Sequence, residues 1–380
     1  ERVMKMKKLG SLMMVGVLVG TMLVGCGKGS SSETKDAKKE GSSDAMKVSL
    51  LCVGNLGDKG FNDSAAKGME RMEKEMGAET KIIELGRDES SYEGNFFDVS
   101  EQGYDLIISG TWSAKEVIEQ MSVEYPENKY LCFDCAVDRD VATEGNIMGI
   151  TYEGNQAAYL CGVLSAKMFE VENEKIDPSE KKLGFIGSLD TAVINDFLLG
   201  YIEGVKSVDP EIKIMTSYVG SYEDVSKCME MTTQLYNQGA QIVYAPTSQS
   251  ILGAVSAAQK ADKYLIACDQ DLYTELKDTE PELAPYVLSS SVKNIGESLV
   301  AAVQGWKDGS MSFDENYVLG LESDAVGLAK NENYETIVPE DIRAMIDEVE
   351  QDIIDGKIKV STAFDLSTDE IAKIRDAMKP

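Results

Sequence analysis

The 380-residue chain contains no histidine. That absence removes Ser-His-Asp and Cys-His nucleophilic catalysis, HExxH zinc sites and imidazole proton shuttles together. Basic residues are scarce: Lys plus Arg number 37 against 66 Asp plus Glu, a formal net charge of −29. An excess of acid on that scale argues against nucleic acid and against docking on anionic lipid, since both need basic surface. It also disfavours polyanionic ligands such as nucleotides. A GxSxG elbow, a Walker-type phosphate loop and a GxGxxG after a strand are all missing. Carboxylate-pair hydrolysis stays formally open, but an abundance of acids is not a motif.

What is present begins with Lys5, Lys7 and Lys8, followed by an apolar run over residues 9–24 broken only by Ser11 and Thr21. The run is shorter and richer in Gly than a comfortable membrane span of ~20 apolar residues. Residues 1–25 are therefore expected to be a secretory signal peptide. The segment Leu23-Val24-Gly25-Cys26 resembles the bacterial lipobox, which implies a diacylglyceryl thioether on Cys26 and a lipid anchor on the extracytoplasmic face of the cell membrane. Loss of Arg2, Lys5, Lys7 and Lys8 with the signal leaves the mature chain still more acidic. Residues 27–44 hold no large apolar side chain. Such a segment cannot offset its ordering entropy, so residues 26–45 are expected to be a disordered tether.

The other cysteines are Cys52, Cys132, Cys135, Cys161, Cys228 and Cys268. An even count in an exported chain invites disulfides. Against that, Cys52, Cys132 and Cys268 sit in apolar strand-like runs, where a free thiol behaves as a small hydrophobe. Cys132 and Cys135 form a lone CxxC with no partner pair at zinc spacing. Mostly unpaired core thiols, and no metal, are the expectation.

From residue 46 onward strand-like and helix-like segments alternate, which argues parallel sheets wrapped by helices. Strands are expected over 47–53, 80–85, 104–109, 129–134 and 147–152. The pattern restarts with strands over 183–186, 212–218, 242–245, 264–268 and 286–290, then 317–321 and a terminal helix over 339–355. Two such runs predict an α/β protein of two Rossmann-like lobes. The expected boundaries are 46–154 plus 292–316 for lobe I and 155–291 plus 317–380 for lobe II. In doubly wound sheets ligands bind beyond the carboxyl ends of the strands, so the cleft between lobes is the natural site and closure is a hinge motion.

The strand ends carry particular residues. After the first strand come Gly57-Asp58-Lys59-Gly60-Phe61-Asn62-Asp63-Ser64; after the third, Gly110-Thr111-Trp112; after the fourth, Phe133-Asp134. In the second half Asp196-Phe197 opens a helix, Asp269-Gln270-Asp271 follows one strand, and Lys293-Asn294 follows another. Singly, Phe61 serves as well as a plug between helix and sheet, and Asp196 or Asp269 as a helix cap or turn residue. Jointly, aromatics from both lobes with acids and a lysine suit a flat ring bearing hydroxyls.

These stretches are similar to the basic membrane protein family of bacterial ABC-transporter substrate-binding lipoproteins, several of which are purine nucleoside receptors. The likeness runs over about 48–358. It is carried by Gly57 to Ser64, by Ala158-Tyr159-Leu160-Cys161-Gly162, and by Leu183-Gly184-Phe185-Ile186-Gly187 through Phe197 to Gly204-Val205-Lys206. Tyr218-Val219-Gly220-Ser221-Tyr222, Asp269 and Ser290-Ser291-Val292-Lys293 complete it. The resemblance implies the type I periplasmic-binding-protein fold, two lobes joined by a three-segment hinge, with no chemistry and no cofactor. It implies that Phe61 and Phe197 sandwich a base, that Asp134, Asp269 and Lys293 hold a ribose, and that Asn55 or Asn62 reads the base edge. Trp112 stands where the family has Phe, Asn55 where it has Asp, and Gln156 where it has Glu. A Gly-Gly-Thr-Gly loop is replaced by Ser248-Gln249-Ser250-Ile251, where side chains redirect a ligand that glycine would admit.

The expected function is a membrane-anchored receptor, by analogy a monomer, that delivers a nucleoside-like molecule to an ABC permease. The alternative within the class is a sugar, furanose signal or other polar metabolite, for transport or sensing. The alternative outside it is a carboxylate-dependent surface hydrolase.

Overall fold

The computed structural model describes residues 45–380. The signal peptide, Cys26 and nearly all of the tether lie outside the described residues. Twelve strands are described: β1 (Lys47–Val53), β2 (Glu79–Gly86), β3 (Leu106–Gly110), β4 (Tyr130–Phe133), β5 (Ile147–Tyr152), β6 (Lys182–Gly187), β7 (Lys213–Tyr218), β8 (Ile242–Tyr244), β9 (Tyr264–Asp269), β10 (Val287–Lys293), β11 (Asn316–Leu319) and β12 (Val326–Leu328). They form two six-stranded sheets, ordered β2-β1-β3-β4-β5-β11 and β7-β6-β8-β9-β10-β12. The two lobes thus repeat one doubly wound topology, and pairing is parallel except for β10 with β12.

Burial explains the composition of the strands. Interior strands such as β1, with six of its seven residues buried, are covered by helices on both faces and read as continuous apolar runs. Edge strand β2 alternates and carries Glu79, Lys81 and Glu84. Helix Phe61–Met76 buries Ala65, Met69 and Met72, one apolar stripe at helical spacing. Gly77 ends it in the left-handed region at φ 67°, returning its N–H to Glu73 and Met72.

The chain crosses between lobes after β5, after β10 and after β11, at Glu153, Asn294 and Gly320. Gln156 ties two crossings together: its amide donates to Glu153 at 2.7 Å and its carbonyl accepts from Leu321 N at 3.0 Å. Helix Gly154–Lys167 is buried on nearly every face. Helix Ala192–Val208 lies so close to it that a Cβ at Gly204 would sit 2.1 Å from the Tyr159 carbonyl oxygen. A side chain at Gly204 would therefore push the helix pair apart.

Several expectations are corrected. β11 joins the first sheet beside β5, so residues 317–319 belong with lobe I and not with lobe II. The helix Thr368–Ala377 lies beyond the one expected to be terminal; its signal was legible as Ser367-x-x-Glu370, which forms a capping box. Against the expectation of mostly unpaired core thiols, Cys132 and Cys135, whose redox state the sequence left open, are joined by a disulfide. Cys52, Cys161, Cys228 and Cys268 are free, and all but the half-buried Cys268 are fully buried.

Candidate ligand cleft

A cavity of about 290 Å³ lies between the carboxyl ends of the two sheets. The first sheet supplies Asp58, Phe61 and Asn62 after β1, Arg87 and Glu89 after β2, Thr111 and Trp112 after β3, and Asp134 after β4. The second supplies Ser188, Phe197, Tyr222, Ser248, Cys268, Asp269 and Lys293. Each sheet reverses its strand order beside its first strand, so the following loops diverge and leave room for a ligand.

Backbone strain gathers here. Thr111, Asp134, Ser248 and Asp269 hold φ of 76°, 58°, 51° and 69°, left-handed values that cost a non-glycine residue free energy. All four line the cavity at strand ends. Strained positions persist where the surroundings over-determine them, and they cluster at binding sites.

The first loop is organised by two carboxylates. Asp58, 3% exposed, accepts from Gly60 N at 3.0 Å, Asn62 N at 2.8 Å and Asp63 N at 3.2 Å. Burial pushes its pKa up to about 6 although those three donors pull the other way. Asp63 in turn accepts from Gly57 N and Lys59 N. The result places Phe61 as the first residue of its helix, against Phe133 at 5.1 Å between ring centroids. Across the cleft Phe197 packs edge-on to Tyr244 at 6.5 Å.

Lys293 is the centre of the site. Its Nζ donates to Asp134 Oδ1 at 2.8 Å, with the two side chains 5% and 14% exposed. The same ammonium lies 5.8, 5.5 and 5.4 Å from the ring centroids of Phe61, Tyr152 and Phe197, within the range of cation–π attraction. Burial opposes its charge, but Asp134 and Asp269 outweigh burial and hold its pKa above the ordinary lysine value. Burial raises Asp269, repulsion from Asp134 adds to it, and Lys293 opposes both. One cation shared between two carboxylates leaves acceptor oxygens in the cavity wall that suit paired hydroxyls.

The two lobes touch at both edges of the cleft. Arg87 of the first lobe pairs with Glu223 of the second at 3.3 Å, and its guanidinium carbon lies 4.8 Å over the Tyr222 ring. On the other edge Gln270 Nε2 donates to the Gly60 carbonyl at 2.8 Å, and Lys67 Nζ donates to Gln270 Oε1 at 2.6 Å. The cleft is closed.

The structure therefore brings Phe61, Asn62, Trp112, Asp134, Phe197, Asp269 and Lys293 to one cavity. Asn55 is exposed and is not among the lining residues. The Asn62 amide nitrogen is directed to the Val53 and Asn55 carbonyls at 3.1 and 3.3 Å, which fastens the end of β1 to the helix. Sequence reasoning gave no site role to Asp58, Arg87, Glu89, Tyr222 or Ser188, all of which line the cavity. Applying the strand-end rule to β2 and β7 as well would have found Arg87, next after Gly86, and Tyr222, four residues after Tyr218.

A sequence model of the family described as ABC transporter substrate-binding protein PnrA-like matches residues 45–362. The CD4+ T-cell-stimulating antigen of Listeria innocua is 26% identical over 371 residues, covering 94% of this chain and 99% of that protein. Basic membrane protein D of Borreliella burgdorferi is 26% identical over 325 residues, covering 84% and 89%. Among solved structures, an ABC transporter solute-binding protein from Aeropyrum pernix K1 superposes with a TM-score of 0.72 at 20% identity, covering 88% of this chain and 99% of that one. A second solute-binding protein, from Conexibacter woesei, gives 0.66 at 21% identity, covering 84% and 99%. The structural likenesses show the fold, two α/β lobes of the periplasmic-binding-protein type I class. On the match over residues 45–362, the chain belongs to the PnrA-like family of ABC transporter substrate-binding proteins.

Proposed function

We propose that this substrate-binding protein captures a nucleoside in the closed cleft and, tethered through a lipidated Cys26 outside the bacterial membrane, hands it to its ABC permease. The observation that carries the reading is the Lys293–Asp134–Asp269 cluster set between aromatic rings from both lobes. A heterocycle stacks on Phe61 and Phe197, and sugar hydroxyls meet the carboxylates and the ammonium. A buried ionic cluster would be a poor neighbour for an apolar ligand, and its acids would repel a phosphate. The site binds and releases; no step of bond making is assigned to it.

A second reading, a sugar or furanose receptor, is favoured by one feature. Ser248 lines the cavity with φ 51°, putting a hydroxyl-bearing residue where a ring would otherwise approach bare backbone. A thermal-shift panel on residues 45–380 separates the two. A ligand at 100 times its dissociation constant adds about 2.7 kcal/mol to stability. Nucleosides should raise Tm while nucleotides and free bases do not; a response to sugars alone would replace the nucleoside reading with the second one.

A further inference from the structure

Asp134 and Phe133 are the two residues enclosed by the Cys132–Cys135 disulfide. Both belong to the site: Phe133 backs Phe61 at 5.1 Å, and Asp134 meets Lys293 at 2.8 Å. The loop that presents them is clamped on each side. Before it, Cys132 is a fully buried residue of β4, in register with Ser109 of β3 and Gly149 of β5. After it, Cys135 N donates to the Ile150 carbonyl at 3.2 Å, a single bridge that resumes pairing with β5. Between the clamps Asp134 holds φ 58°.

We infer that the Cys132–Cys135 disulfide is a positioning device for the binding site, holding Asp134 in its left-handed conformation so that its carboxylate reaches Lys293 and the ligand. Immediately after Asp134 the backbone is held by the Cys135 N bond alone. The next hydrogen-bonded restraints, Val137 with Asn316 and Asp138 with Glu119, fall three and four residues on. That is too far along the chain to fix one residue in a costly conformation. The covalent link returns the chain to β4 two residues later and removes the extended conformations the loop would otherwise sample. The buried Lys293 makes the alternative costly too, because an Asp134 that swings away leaves the ammonium with Asp269 alone. Binding strength thereby depends on the oxidation state of two cysteines that do not line the cavity.

The inference rests on Asp134 being a ligand contact, and the test separates the two. Binding of inosine to the oxidised protein is compared with binding after reduction by a phosphine and to a Cys132→Ala/Cys135→Ala variant, each also in an Asp134→Asn background. Asp134→Asn alone should weaken inosine by about tenfold or more; no loss overturns the site reading. Freeing the two-residue loop should weaken inosine by roughly five- to thirtyfold when Asp134 is present. In the Asp134→Asn background it should matter by about twofold or less, since the two changes act through one group. Equal affinity with and without the disulfide overturns this inference alone, as does an equal loss in both backgrounds. A measurement without ligand completes the test. On reduction, amide hydrogen exchange at Asp134 and Cys135 should quicken while Leu131 in β4 stays protected; unchanged exchange at Cys135 refutes the clamp.

Discussion

Replacing Lys293 by Met keeps most of the aliphatic stem and removes the ammonium that lies among Phe61, Tyr152 and Phe197 and donates to Asp134. Asp134 and Asp269 are then left without their shared counter-charge in a largely buried site. Removing one partner of a buried ion pair costs about 3–5 kcal/mol, because the remaining charge loses its compensation. That is a large share of the ~5–15 kcal/mol by which a domain is stable. The pH dependence is the sharper signature. Burial and Asp134 already raise Asp269 in the wild type, and Lys293 opposes them. Without the lysine the carboxyl rises further above its unfolded value of ~3.9. A group whose folded pKa is raised contributes stability below the unfolded pKa and loses it as pH climbs through the folded pKa. The destabilisation of Lys293→Met should therefore be small near pH 4 and grow toward pH 7. Urea unfolding of both proteins at a series of pH values reads it directly. A loss under about 1 kcal/mol at pH 7, or one that is the same at pH 4 and 7, would refute the reasoning.

Phe61→Ala and Phe197→Ala should each weaken nucleoside binding by roughly 0.5–3 kcal/mol while the protein stays folded; calorimetric titration showing normal affinity in both sinks the sandwich. Arg87→Ala removes a half-exposed cross-cleft pair. Pairs of that kind contribute about 0.2–1 kcal/mol, so dissociation should quicken by up to about fivefold and the salt dependence of the off-rate should shrink. An unchanged stopped-flow off-rate would show that Arg87 does not latch the lobes. Asp58, held up at about 6 by burial, favours the folded state below the unfolded carboxylate range and loses that contribution as pH rises through 6. Asp58→Asn should remove a stability slope on the order of 3 kcal/mol between pH 4 and 6, and an unchanged slope refutes it. Cys26→Ser should move the protein from membrane to medium in cell fractionation; retention on the membrane sinks the lipid anchor.

The local pattern carried much of the architecture because it is written in short-range physics. Apolar runs of strand length alternate with helical stripes such as Ala65, Met69 and Met72, and their repetition required two doubly wound lobes. The same rule placed Phe61, Trp112, Asp134, Asp269 and Lys293 at strand ends, where such sheets bind ligands. Composition alone removed histidine chemistry and made basic-surface partners improbable.

Tertiary structure decided what depends on distant segments meeting. Asn62 is polar and beside the site in sequence, yet its amide closes on the Val53 and Asn55 carbonyls, a geometry set by how the loop folds back. The Lys293–Asp134 pair joins residues 159 positions apart, and nothing local specifies it. β11 looks like any short strand; only the free edge beside β5 assigns it to the first sheet. The apolar setting that made Cys132 read as a free core thiol is equally the setting of a buried disulfide, and only the turn at Phe133–Asp134 brings Cys135 back to it. Propensity and periodicity are properties of neighbours in the chain, whereas a binding site is a property of neighbours in space.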